Sequence, residues 1–120
     1  LTESLFSDFQ PIAAIATTSQ SAHKLHPLCQ SLGITLHLAE QLTECDGVTR
    51  YSGSLKDHLA RLWPHHRAFI FGLATGAVVR LISPLLTDKA TDPAVIVIDP
   101  QGRFVISLCG GHQGGSDRLA

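Results

Sequence analysis

Between Ala68 and Thr87 the chain carries one charged side chain, Arg80. The run reads as a strand from Ala68 to Leu73, a turn at Thr75-Gly76, and an apolar helix that Pro84 ends or bends. A further strand run, Ala94 to Ile98, follows. A helix apolar on all sides must be covered on most of them, so this segment is expected in the interior. Its longest apolar run, Ala68 to Val79, is too short to span a bilayer and is broken by Gly72 and Gly76. A strand–turn–helix–strand centre restricts the chain to folds that alternate helix and strand.

The rest of the sequence agrees with that alternation. Residues 1–10 show no stable period and read as a lead-in, with the domain proper over residues 11–120. Pro11 to Ala16 is a compact apolar run bounded by Thr17-Thr18-Ser19, as for a buried strand followed by a helix cap. Ala22, Leu25, Leu28/Cys29 and Leu32 then recur at helical spacing, and Gly33 stands where a C-terminal cap would. Pro27 should kink that helix or delay its start. Ile34 to Leu38 alternates toward a second strand, and Ala39 to Arg50 reads as polar loop with a turn at Asp46-Gly47. Leu55, Leu59, Leu62 and Trp63 form the stripe of another helix, with Ser54 and Asp57 resembling a capping box and Pro64 as its stop. Asp99-Pro-Gln-Gly102 suits a type I turn that returns Arg103 to Cys109 as a hairpin strand. The expected fold is α/β: a mostly parallel five-stranded sheet with an antiparallel C-terminal hairpin strand and helices on both faces.

Composition excludes several function classes. A net charge of -1 over 120 residues gives no broad attraction to nucleic acid or anionic membranes. No basic-then-apolar leader opens the chain, which makes the cytoplasm the expected compartment. Cys29, Cys45 and Cys109 are an odd, widely spaced set, suited to buried thiols and not to a disulfide framework or a metal knuckle. His23 and His26 share a helical face and His65-His66 is a pair, but neither finds a third ligand at zinc spacing, so no metal site is expected. The chain begins at Leu1 without Met, and Gly115-Ser-Asp-Arg-Leu-Ala120 reads as a helix barely begun; both suggest a piece of a longer protein.

Two glycine-bearing junctions are the candidate sites. In open α/β sheets ligands sit outside the carboxyl ends of strands, where helix N-termini present free N–H groups. Thr75 and Gly76 occupy such a junction; Thr75 either donates a hydroxyl to a ligand or caps the helix. The second junction is Gly110-Gly111-His112-Gln113-Gly114-Gly115, a loop that a ligand can approach closely, with His112 its only titratable side chain and a natural general acid or base. Both bends are expected to open on the same rim of the sheet. Arg80 either pairs with Asp88, Asp92 or Asp99, or clamps a ligand carboxylate with its planar fork.

These residues carry a resemblance. Tyr51-Ser-Gly-Ser-Leu-Lys, the run from Ala74 through Thr75-Gly-Ala-Val-Val-Arg-Leu-Ile-Ser-Pro to Val95, Asp99-Pro-Gln-Gly-Arg-Phe-Val-Ile-Ser-Leu and Gly111-His-Gln-Gly-Gly115 together resemble the N-terminal domain of the CbiG family. That family comprises the cobalt-precorrin-5A hydrolases of cobalamin (vitamin B12) biosynthesis. The likeness is dense from Tyr51 to Ala120 and loose before it. It implies an enzyme that opens the δ-lactone of a cobalt-containing tetrapyrrole and releases acetaldehyde. Such chemistry calls for a base, oxyanion donors and cations for peripheral carboxylates. By position, His112 would be the acid or base. Thr75, Gly76, Gly111, Gly114 and Gly115 would meet substrate through their backbone, and Arg80 would hold a carboxylate. The family commonly has Ser where this chain has Gly110, so a hydroxyl expected there is missing.

The resemblance also implies partners. They are a cobalt-precorrin substrate that brings its own cobalt, a C-terminal domain of the same chain, and, where members are fused to one, a precorrin methyltransferase domain using S-adenosylmethionine. No cofactor is expected in this domain, and the isolated piece should turn over little. The competing reading is a non-catalytic module that covers the corrinoid or docks a fused precorrin-3B C17-methyltransferase. No G-x-G-x-x-G or Walker sequence favours a nucleotide binder.

Overall fold

The computed structural model describes residues 9–43, 45–88 and 90–98, and the backbone of Val105–Cys109. Six strands form one sheet: β1 (Ile12–Ala16), β2 (Thr35–Ala39), β3 (Thr49–Tyr51), β4 (Ala68–Gly72), β5 (Ala94–Ile98) and β6 (Val105–Cys109). Three helices connect them: α1 (Ser19–Leu32), α2 (Leu55–Leu62) and α3 (Thr75–Ile82). The strand order is β3-β2-β1-β4-β5-β6. The strands β1 to β5 all run parallel. The expected count is thereby corrected: five strands form the parallel body, because Thr49–Tyr51 adds one inside the stretch read as loop. At the far edge β6 pairs antiparallel with β5, Ile98 opposite Val105. The turn expected at 99–102 lies outside the described residues.

Sequence chemistry accounts for the helix limits. Thr18 holds the amino end of α1 by accepting from the Ser21 N–H at 3.1 Å, and Gly33 closes it in the left-handed region at φ 69°. The helix continues through Pro27, contrary to the expected kink or late start. Pro27 is exposed, on the side where water can take the carbonyl that its missing N–H leaves unpaired. Ser54 caps α2 through the Asp57 N–H at 3.1 Å. Pro64 and Pro84 each sit in a short 3-10 turn, Trp63–His65 and Ser83–Leu85, that ends the preceding helix.

The strands read as near-continuous apolar runs because both faces are covered. On one face α1 lays Ala22, Leu25 and Cys29 over Ala14, Ala16, Leu36, Leu38, Ile70 and Ile96. Phe9 belongs to the same cluster. On the other face α2 and α3 bring Leu59, Val78 and Ile82, with Trp63, onto Ala13, Ile15, Phe69, Phe71, Val95 and Val97. The wholly covered helix expected from composition is not what forms. Only Val78 and Ile82 of α3 are fully buried, while Val79 stays 45% exposed and Leu86 beyond it 40%. Among the described residues no helix is long and apolar enough to cross a membrane.

Candidate functional site

Parallel strands place all their carboxyl ends on one rim, and α1, α2 and α3 all start from it. The chain leaves β1 toward β2 on one side and returns through β4 toward β5 on the other. The crevice between β1 and β4 is therefore the switch point where such sheets bind ligands. Ala16 pairs with Gly72 at its floor. A Cβ on Gly72 would come within 2.9 Å of Leu25 Cδ1 and 3.2 Å of Ser21 Cβ, so the bare backbone is what lets α1 close against β4.

The helix starts on this rim differ. Thr18 and Ser54 satisfy N–H groups of α1 and α2, but α3 begins after Ala74, which has no side-chain acceptor to offer. Thr75 is the first helical residue and not the cap, which removes the structural role considered for it. The first intrahelical bond runs from the Val78 N–H to the Ala74 carbonyl at 3.1 Å. The N–H groups of Thr75, Gly76 and Ala77 thus have no intrahelical acceptor. Gly76 has no positive φ, and nothing lies within 4 Å of where its Cβ would be. Neither conformation nor packing demands glycine there; its effect is to keep the rim open. Three amide donors at a helix end carrying about half a positive charge have the chemistry to accept a carboxylate or a developing oxyanion.

Arg80 lies five residues along α3 from Thr75, roughly 7.5 Å down the axis, and is exposed. The ion pairs considered for it with Asp88 and Asp92 are not formed. Asp92 accepts from Thr87, and Asp88 accepts from the Ala90 N–H at 2.9 Å. Asp99, His112, Gly111, Gly114 and Gly115 lie outside the described residues. The end of β6 does bear on the shared hollow expected from the sequence. Cys109 pairs with Val95 near the amino end of β5, so the described end of β6 and the start of α3 stand on opposite rims. The second bend itself, 110–115, lies outside the described residues.

A second cluster escaped the sequence reading. His37 Nδ1 and His58 Nε2 lie 2.9 Å apart, and the Tyr51 ring stacks on His58 with centroids 4.4 Å apart. They come from β2, α2 and β3, and are 5%, 8% and 7% exposed. Burial, then the rings of His58 and His66, pushes His37 from its ordinary 6.5 down to about 4. His58 is lowered as well, by burial and by Arg61, and burial raises Tyr51. The signal was present in the α2 stripe: His58 falls between Leu55 and Leu62 on the apolar face, at the i+3 position. By contrast Cys29 is an inert core thiol, pushed up to about 12 by burial. No group of three or more His, Cys, Asp and Glu able to hold a metal exists among the described residues.

The family model described as Cobalamin synthesis G N-terminal matches residues 57–120. The chain belongs to this family. It is 36% identical over 110 residues to the cobalt-precorrin-5A hydrolase of Salmonella typhimurium, covering 92% of the chain and 31% of that protein. It is 46% identical over 72 residues to the cobalt-precorrin-5A hydrolase of Priestia megaterium, covering 60% of the chain and 19% of that protein. The chain thus spans less than a third of the length of these relatives. A solved cobalamin biosynthesis protein G homologue from Sulfolobus solfataricus shares the fold, with a TM-score of 0.65 at 23% identity over 90% of this chain and 32% of that one.

The resemblance read from the sequence thus holds at the level of the family. The matched span contains Thr75, Gly76, Arg80 and His58, and also Gly111 to Gly115. His37 and Tyr51 precede it.

Proposed function

We propose that within the full-length protein this domain binds a cobalt-precorrin at the β1–β4 rim and supplies part of the site that hydrolyses its δ-lactone with release of acetaldehyde. The observation that carries this reading is the uncapped start of α3, left bare at Gly76, on the switch-point rim of a chain of this family. Lactone opening adds water to the carbonyl carbon and puts negative charge on its oxygen before the ring C–O bond breaks. Acetaldehyde then leaves as the freed hydroxyl becomes its carbonyl, the C–C bond to the macrocycle breaks, and the macrocycle carbon takes the electron pair and a proton. Amide donors fixed in advance stabilise the lactone carbonyl oxygen without reorganising. The same donors suit the ring's peripheral carboxylates, and Arg80 is the cation nearest along α3. The proton that the attacking water gives up must go to a base from elsewhere in the full-length protein, because β6 ends three residues before His112 on the opposite rim.

The test is a bulky side chain at Gly76. Since that position faces open space, Gly76→Leu should fold normally yet raise the KM for cobalt-precorrin-5A, read as acetaldehyde release, by about tenfold or more. An unchanged KM would remove the rim from the reading. His112→Ala should, with β6 ending on the opposite rim, leave kcat near the parent value; a large fall would bring His112 into the mechanism.

A second reading draws on one observation, the exposure of Val79 on α3 and of Leu86 beyond it. There the domain docks another part of the protein and only covers the corrinoid. Titration of the domain with a cobalt-precorrin separates the two: a perturbed corrinoid spectrum supports the binder, and an unperturbed one supports docking.

A further inference from the structure

The His37–His58 pair has no part in the rim just described, yet it joins three elements at one point. It ties β2, through His37, to the first turns of α2, through His58, while Tyr51 at the end of β3 stacks on the outer ring. A 2.9 Å contact between two ring nitrogens requires one to donate and the other to accept. Two neutral imidazoles meet that requirement. One added proton keeps a donor and an acceptor but places a charge among buried groups. A second makes both nitrogens donors, and the contact cannot survive.

The neighbours do not offset such charge. From α2, Arg61 acts on His58; from the turn before β4, His66 acts on His37; from β3 comes neutral Tyr51; and β1 contributes Ile15, beside His37 in the register. Among the described residues no carboxylate acts on the pair, and Asp57, adjacent in the chain, is exposed. We propose that the His37–His58 contact is a proton-sensitive latch, which holds β3 and the start of α2 against the sheet while neutral and releases them on acidification.

The direction follows from linkage. His37 resists protonation in the folded chain, falling to about 4 from 6.5. Its contribution is whole above the unfolded value and is lost as pH drops from 6.5 toward 4. Release would loosen the 51–54 bend, which opens on the same rim as the start of α3.

Hydrogen exchange of the full-length protein, corrected for the intrinsic pH dependence of exchange, tests this. Between about pH 7.5 and pH 5, amides of β3 and α2 should lose on the order of tenfold protection or more, while those of α1 keep theirs. Loss of protection in α1 and α2 together, or none in α2, overturns the latch. In His58→Gln the amide oxygen can still accept from His37 Nδ1, but only one ring titrates, so the loss should move to lower pH. An unchanged pH profile in that variant overturns the proposal too. If that variant does not fold, the wild-type comparison of α2 with α1 still decides.

Discussion

Gly72 and Gly76 stand four residues apart and play opposite parts. At Gly72 the space for a methyl group is already taken by Leu25 Cδ1 and Ser21 Cβ, and the latter, fixed to the helix backbone, cannot retreat without lifting α1. Gly72→Ala should therefore cost about 1–3 kcal/mol by overpacking, seen as a lower denaturant midpoint at constant m. Gly76→Ala meets nothing, and a methyl within a helix start should leave that midpoint level or slightly raised. Sequence could mark both glycines but could not tell them apart, since the difference lies in what α1 places over β4. The same holds for His37 and His58. Each sat visibly in an apolar pattern, but their pairing joins residues 21 apart through the sheet, and no local spacing encodes it. Gly33, Thr18 and Ser54 were legible because caps are local: Thr18 and Ser54 each accept from an amide three positions on, and the Gly33 N–H donates to the carbonyl four positions back.

At the scale of elements, the contrast among helix starts is the feature with consequences. Caps at Thr18 and Ser54 each contribute about 1 kcal/mol, and replacing either by Ala should cost about that in chemical denaturation. The α3 start forgoes this stabilisation at Ala74. Ala74→Asp would supply the missing acceptor and a favourable charge at the helix end, and should stabilise the domain by about 1 kcal/mol. The same carboxylate would occupy the amides proposed for substrate and repel its carboxylates. A raised melting temperature with a raised KM is the expected pair of results in the full-length enzyme. If both stability and KM improve, the amides are not the substrate's. The elements that sequence missed or misjudged share one cause. Three residues of β3 are too few to show alternation, and they become a strand only because β2 offers an edge. The outer side of α3 is apolar in composition yet exposed, because burial depends on what packs there and not on the helix alone.

The molecule as a whole is one sheet holding two apolar clusters apart. Alternation along β1 sends Ala13 and Ile15 to one cluster and Ile12, Ala14 and Ala16 to the other; β4 and β5 divide likewise. Side chains of the two clusters meet only through the backbone of the strands between them. Leu36 on β2, in the α1 cluster, and Val97 on β5, in the α2–α3 cluster, lie on opposite faces three strand spacings apart, about 14 Å. Both are fully buried. Leu36→Ala should cost about 2–5 kcal/mol and Val97→Ala about 2 kcal/mol. At that separation, with no shared partner, the double variant should lose their sum to within about 0.5 kcal/mol, at an unchanged m-value. A fall in m would instead mean that one face melts while the other stays folded. The continuous hydrogen-bonded ladder from β3 to β5 argues against that outcome, since neither helical layer can leave without baring strands whose other face is still packed. That mutual dependence also bears on the rim. The switch-point crevice is lined by β1 and β4, both buried along their whole length. The start of α3 thereby follows directly from a strand buried along its whole length, the kind of support that the oxyanion donors proposed here would need.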